Sequence, residues 1–413
     1  MVSFMPADIL IPNVSDMRKW SVIACDQFTS DPEYWKRVKN YVGNEPSTLR
    51  LILPEAELGT PEEEAHTDDI HVSMKKYLDS GIFREYKDSF VYVERSLENG
   101  TIRRGLVGKI DLEQYDFHQG SKSDIRATEL TVVERIPPRQ KVRRNAAIEL
   151  PHVLMLCDDH EKKLIEPISE KKDSLPKLYD FDLMEGGGHI SGWLVDGNDA
   201  EEFQRALEEY YHSVPDKYHD LNGVSMTFAV GDGNHSLATA KSCYEELKAN
   251  DPSISLCDHP ARYALVELEN IHDEAQIFEP IHRVITETDP ELLLKTLSEN
   301  VCAENGFEVK WFIGSTSGTV SLDPQKGQLA VGILQSFLDE YLKNHDGTID
   351  YIHDDDELIR LSSQDRSIGF LLPAMEKSQL FRGVIADGVL PRKTFSMGHA
   401  REKRYYLEGR KIK

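Results

Sequence analysis

Gly231-Asp232-Gly233-Asn234-His235-Ser236 gathers two glycines, an acid, an amide, an imidazole and a hydroxyl into one short stretch. The chemistry this set suits is anion binding with proton transfer close by. Gly231 and Gly233 allow positive φ and close approach of a ligand to backbone. A helix that starts just after them leaves its first N–H groups without intrahelical partners, which favours an oxyanion. His235 would donate to a phosphate oxygen or act as a general base. Asp232 would serve as a base or hold a Mg²⁺ bridged to phosphates. Asn234 and Ser236 would add polar phosphate contacts, and Asn234 or Asp232 would cap the helix. The same residues also suit a plain Asp-Gly turn with a capping residue, which needs no ligand.

The flanking residues must position this turn. The apolar run at 224–230 reads as a buried strand, and 236–249 reads as a helix. Further strands are expected at 152–157, 190–195 and 261–269, with a helix at 200–211. Residues 89–94 and 101–110 around Asn99-Gly100 read as a hairpin. Asp31-Pro32 and Asp289-Pro290 read as helix starts, with the acid as cap and the proline in the first turn. Such interleaving predicts a mixed α/β (α+β) layered fold. A chain of 413 residues is long for one core. We therefore expect an N-terminal α/β region at 1–115, a core carrying the turn at 116–285, and a C-terminal α/β region at 286–413.

The five cysteines are scattered, with no Cys-x-x-Cys pair. That pattern argues against a disulfide framework and a structural zinc, so no zinc is expected. With no apolar run near the length of a membrane span and no basic n-region at the start, the expected place is the cytoplasm, away from membranes. A formal charge of −24 disfavours nucleic acid as a partner. Two basic stretches stand out in so acidic a chain. One runs from Arg126 to Arg144 and includes Arg135, Arg139 and Arg143; the other runs from Arg392 to the end and includes Lys393. Each is a solvated face or a source of cations for the turn. Gly186-Gly187-Gly188-His189 lacks the spacing of a P-loop or dinucleotide turn. It reads as a mobile connection, or as a lid built on Gly187 with His189 as a second site histidine.

The run from Asp232 to Ala240 resembles the D-G-H-H-R-x-x-T-A signature of the bacterial family known as domain of unknown function 1015. Segments at 128–135, 280–284 and 390–395 are similar to that family in the same order. The signature also resembles, more distantly, the phosphate-cradling turn of the ParB and sulfiredoxin-like fold. Members of that fold include a nucleotide-dependent clamp, a sulfinic acid reductase and a free-serine kinase. The resemblance implies a ParB/sulfiredoxin-like core with a strand, glycine turn and helix at a phosphate site. Ser236 stands where the family usually has arginine, which removes a bidentate phosphate donor. Arg135, Arg139 and Lys393 are the expected replacements.

The resulting expectation is a nucleotide- or phosphate-binding protein, acting as a small-molecule phosphotransferase or nucleotide hydrolase with Mg²⁺ on the nucleotide. The alternatives are a nucleotide-sensing regulator without turnover and a DNA-associated ParB-like protein. Nothing in the sequence fixes the oligomeric state.

Overall fold

The computed structural model describes residues 2–97, 99–131, 133, 136–221, 224–251, 259–391 and 393–413. Arg135, Cys257 and Arg392 lie outside the described residues.

The fold is mixed α/β. Its larger sheet runs in the order Lys177–Asp182, His189–Val195, Phe83–Ser96, Ile102–Asp111, Tyr263–Asn270, Val153–Cys157, Phe228–Asp232, Ile125–Ala127, Tyr115–Asp116. Phe4–Met5 and Ala7–Pro12 add to it beside Ile102–Asp111 and Phe83–Ser96. Three of its pairings are parallel: 263–270 with 153–157, 228–232 with 125–127, and 115–116 with 125–127. The boundary expected near residue 115 therefore runs through one sheet. Ile102–Asp111 and Tyr263–Asn270, from either side of it, pair antiparallel along their lengths.

Alternation along the hairpin strand Phe83–Ser96 explains how this sheet is covered on both faces. Val91 and Val93 point into a core shared with the N-terminal helices and with Tyr405, Tyr406 and Leu407. Phe90 and Tyr92 point the other way, toward Phe203 and Leu207 of the helix Gly197–Lys217. A smaller antiparallel sheet holds a third core, in the order Thr316–Leu322, Cys302–Ile313, Ile368–Leu371, His282–Thr286, Thr348–Ile352.

Local signals set several elements. Asp31 accepts from the Tyr34 N–H at 3.1 Å with Pro32 opening the helix Pro32–Val42, and Asp289 accepts from the Leu292 N–H at 3.0 Å. Asp354 caps the helix Asp355–Ser362 through the Glu357 N–H. One expectation is corrected. The run at 224–230 becomes strand only at Phe228. Arg126 takes the Val224 and Ser225 carbonyls at 2.7 and 3.1 Å, in place of a neighbouring strand's N–H groups.

The C-terminal residues do not stay with the smaller sheet. Residues 401–411 return to the large one and are held there by buried arginines. Arg95 donates to the carbonyls of Arg401, Glu402 and Lys403. Arg404 pairs with Glu267 at 2.9 Å and with Glu408, and Arg410 with Glu149 at 2.6 Å. Trp20 donates its indole N–H to the Leu407 carbonyl at 2.9 Å. Truncating one member of a buried ionic cluster strands the others in low dielectric, so Arg404→Ala should cost about 3–5 kcal/mol. The urea-unfolding midpoint reads this directly, and a midpoint equal to the parent's would show that the return segment is not held this way.

Candidate functional site

Phe228–Asp232 lies between Ile125–Ala127 and Val153–Cys157 and runs straight into the helix Asn234–Asn250. The register against Val153–Cys157 slips between Val230 and Asp232, so Gly231 is a bulge. A Cβ at Gly231 would sit 2.7 Å from Met397 Sδ and 2.9 Å from Leu156. Gly233 has φ 79°, and a Cβ there would sit 2.9 Å from His152 Cδ2 and 3.0 Å from Val153 Cα. Both glycines are thus required by protein packed against them.

Gly233 is also the residue at the helix start, and no side chain caps it. This corrects the expectation that Asn234 or Asp232 caps the helix. The Asp232 carboxylate instead accepts from the neighbouring Gly233 N–H at 3.0 Å and faces Lys403 Nζ at 3.3 Å. Helix geometry gives the first-turn N–H groups no partner within the helix. Asn234 Oδ1 is buried with no hydrogen-bond partner.

The turn forms part of the wall of a cleft of about 1050 Å³. Gly231, Asp232, Gly233, Asn234, His235 and Ser236 all line it. Arg139, Lys393 and Lys403 line it as well, brought from segments far apart in sequence. Lys393 is placed by a local tie, since the Leu390 N–H donates to the Thr128 carbonyl at 2.7 Å and the Thr128 hydroxyl to the Val230 carbonyl at 2.6 Å. Its backbone is held at φ 60°, a strained state for a residue with a Cβ.

Charges interact across this space. Burial pushes the Glu129 carboxyl up, Lys393 pulls it back and Asp232 adds to the rise, leaving it raised. Burial lowers His353, and the Lys393 ammonium lowers it further. Arg139 is paired with Glu55 and Arg143 with Glu149 at 2.6 Å, so the first basic stretch brings its acids with it. Arg144 pairs with Glu246 and Arg126 serves backbone carbonyls.

Gly187 and His189 are not on the cleft wall. The Gly187 carbonyl accepts from Arg95 Nε and Nη2 at 3.1 and 2.8 Å, which fixes the loop expected as a lid. His189 sits between Asp180 at 2.5 Å and Asp182 at 2.8 Å on the strand next to the sheet's edge. A metal held by Asp232 fits poorly, because both its oxygens already face donors. Among the described residues no group of three His, Cys, Asp or Glu side chains is placed to hold a metal.

The sequence reading passed over several wall residues: Cys25, Asp26, Glu129, His152, Lys403 and Tyr406. Lys403 lay in the basic C-terminal stretch and His152 at a strand start, but nothing local tied either to the turn.

A family model described as "Protein of unknown function (DUF1015)" matches residues 9–407. No curated protein matches. Among solved structures the chain is similar to a conserved hypothetical protein from Pyrococcus furiosus, with 12% identity over 72% of this chain and 90% of that one, at a TM-score of 0.33. It is similar to a free serine kinase in complex with AMP, with 11% identity over 74% and 90%, at a TM-score of 0.36. It is also similar to C-terminally truncated SbnI from Staphylococcus aureus, with 10% identity over 71% and 83%, at a TM-score of 0.34.

The turn geometry itself is testable. Gly233→Ala combines a left-handed backbone with the contact to His152, and should cost about 1–3 kcal/mol. Denaturant unfolding of the variant measures it, and parent-like stability would mean that the turn is free to rearrange.

Proposed function

The chain belongs to the family described as Protein of unknown function (DUF1015), and we propose that its cleft binds a nucleotide or a related small phosphate ester, with the phosphates at the start of the helix Asn234–Asn250. The observation that carries this reading is the helix start without a side-chain cap, opening onto a cleft that two lysines share. N–H groups without intrahelical partners and the positive helix end favour an anion there. Lys393 forms no salt bridge among the described residues, so its ammonium remains available to a phosphate. Lys403 would divide its charge between Asp232 and the ligand. The same wall continues into Leu51, Leu53, Leu58 and Met74, an apolar stretch suited to a base or another flat organic group.

Phosphoryl transfer or hydrolysis follows if an acceptor reaches the same space. Catalysis would then come from positioning and charge stabilisation by the first-turn N–H groups, Lys393 and Lys403, with His235 placed to move a proton. The reading without turnover, a nucleotide-sensing regulator, draws support from Asp232, whose two oxygens are already engaged by Lys403 and the Gly233 N–H. Prolonged incubation with ATP separates the two, since only the enzyme yields ADP or a phosphorylated acceptor.

ADP and ATP should raise the melting temperature by several degrees, while adenosine should leave it unchanged. A ligand at 100 times its Kd stabilises by about 2.7 kcal/mol. Equal shifts with adenosine, or none with any phosphate ester, would overturn the reading. His235→Ala should weaken ADP binding at least about tenfold, or 1.4 kcal/mol, in calorimetric titration while leaving the melting temperature close to the parent's. A large fall in melting temperature with ADP affinity unchanged would make His235 a determinant of the fold instead.

A further inference from the structure

On the wall beside the turn, four side chains form a continuous chain of contacts. Tyr406 donates its hydroxyl hydrogen to Cys25 Sγ at 3.3 Å and accepts from the Cys25 N–H at 3.3 Å. His152 Nδ1 lies 2.6 Å from the same hydroxyl, and His152 Nε2 lies 3.4 Å from Asp26 Oδ2. All four residues line the cleft, and Cys25 is partly exposed.

A protonated His152 gives this chain one consistent direction. The Tyr406 hydroxyl has one hydrogen, and that hydrogen goes to the sulfur. His152 Nδ1 must then donate to the Tyr406 oxygen, while Nε2 donates toward Asp26. A histidine donating from both nitrogens is an imidazolium. Electrostatics agree: burial opposes the charge on His152, but Asp26 prevails and raises it well above the ordinary range. Burial likewise works against Asp26, and the charge of His152 holds it well below the usual carboxylate range. Lys403 is the other charge acting on Asp26. The sulfur therefore sits at the accepting end of an imidazolium–hydroxyl chain, on the wall of the cleft.

We propose that Cys25 is a nucleophilic thiol of the cleft, positioned by Tyr406, His152 and Asp26, and that it takes a small carbon electrophile bearing a leaving group. In the step, the sulfur lone pair forms the S–C bond and the bond from carbon to the leaving group breaks, its electron pair departing with that group. A basic leaving group takes its proton from His152 Nδ1 through the Tyr406 hydroxyl. None of these four residues belongs to the phosphate turn, so the proposal stands apart from the nucleotide reading.

The test uses iodoacetamide on the folded full chain, with modification of each cysteine followed by peptide mass spectrometry. Cys243 and Cys302, also partly exposed, serve as references within the same sample. Cys25 should react at least about tenfold faster than either, as expected of a thiol activated by its neighbours. Tyr406→Phe and His152→Gln should each slow Cys25 by about fivefold or more while leaving Cys243 unchanged, because only Cys25 depends on the chain. Modification of the buried Cys157 would reveal an unfolded variant, in which case Asp26→Asn supplies the comparison and should slow Cys25 in the same way. Cys25 reacting no faster than the references, or keeping its rate in folded Tyr406→Phe or Asp26→Asn, would overturn the proposal.

Discussion

The return of the C-terminal segment to the large sheet, pinned by buried arginines, is the constraint on which the cleft depends. Arg95 spends its donors on the Gly187, Arg401, Glu402 and Lys403 carbonyls, and Arg404 lies between Glu267 and Glu408. Burying guanidinium groups is costly unless their donors are satisfied, and here carbonyls and carboxylates take most of them, Arg404 Nε being left without a partner. This places Lys403 against Asp232 and Tyr406 against His152. The opposite face of the segment is fixed by Trp20 and Ser21, which donate to the Leu407 and Tyr406 carbonyls at 2.9 Å. Residues near the two ends of the chain thus build one wall together.

The turn shows how much a motif reveals and where its logic differs from the obvious one. The strand, turn and helix were legible from apolar runs broken by glycine, as were the helix starts at Asp31 and Asp289, because these signals act within a few residues. The reason for the glycines was not legible. Gly231 makes room for Met397 and Leu156, and Gly233 for His152 and Val153, so protein packing occupies the space that a ligand was expected to need. Basic stretches were legible as charge but not as free charge, since Arg139 and Arg143 meet Glu55 and Glu149. Lys393 and Lys403 escaped notice as a pair because their meeting depends on contacts hundreds of residues apart, which leave no periodicity or spacing in the sequence. The same holds for Cys25 and Tyr406, and for His152 and Tyr406.

The cleft divides into walls with different chemistry. Around the helix start, first-turn N–H groups and two lysines answer the charge of a phosphate. Around Asp26 and His152, a neutralised ion pair and a hydroxyl surround a sulfur. Between them, Glu129 and Asp232 temper the lysines, and burial, with Asp232 adding to it, leaves the Glu129 carboxyl raised. In a protein of net charge −24, a site with balanced local charge selects ligands by contact geometry more than by long-range attraction.

The central claim is that phosphate oxygens rest on the first turn of the helix Asn234–Asn250. It is tested most directly by titrating ¹⁵N-labelled protein with ADP and following the backbone amide resonances of Asn234, His235 and Ser236. Downfield movement of these amides with saturating ADP, and not with adenosine, is the predicted result. Saturable binding of ADP that leaves all three amides in place would contradict it.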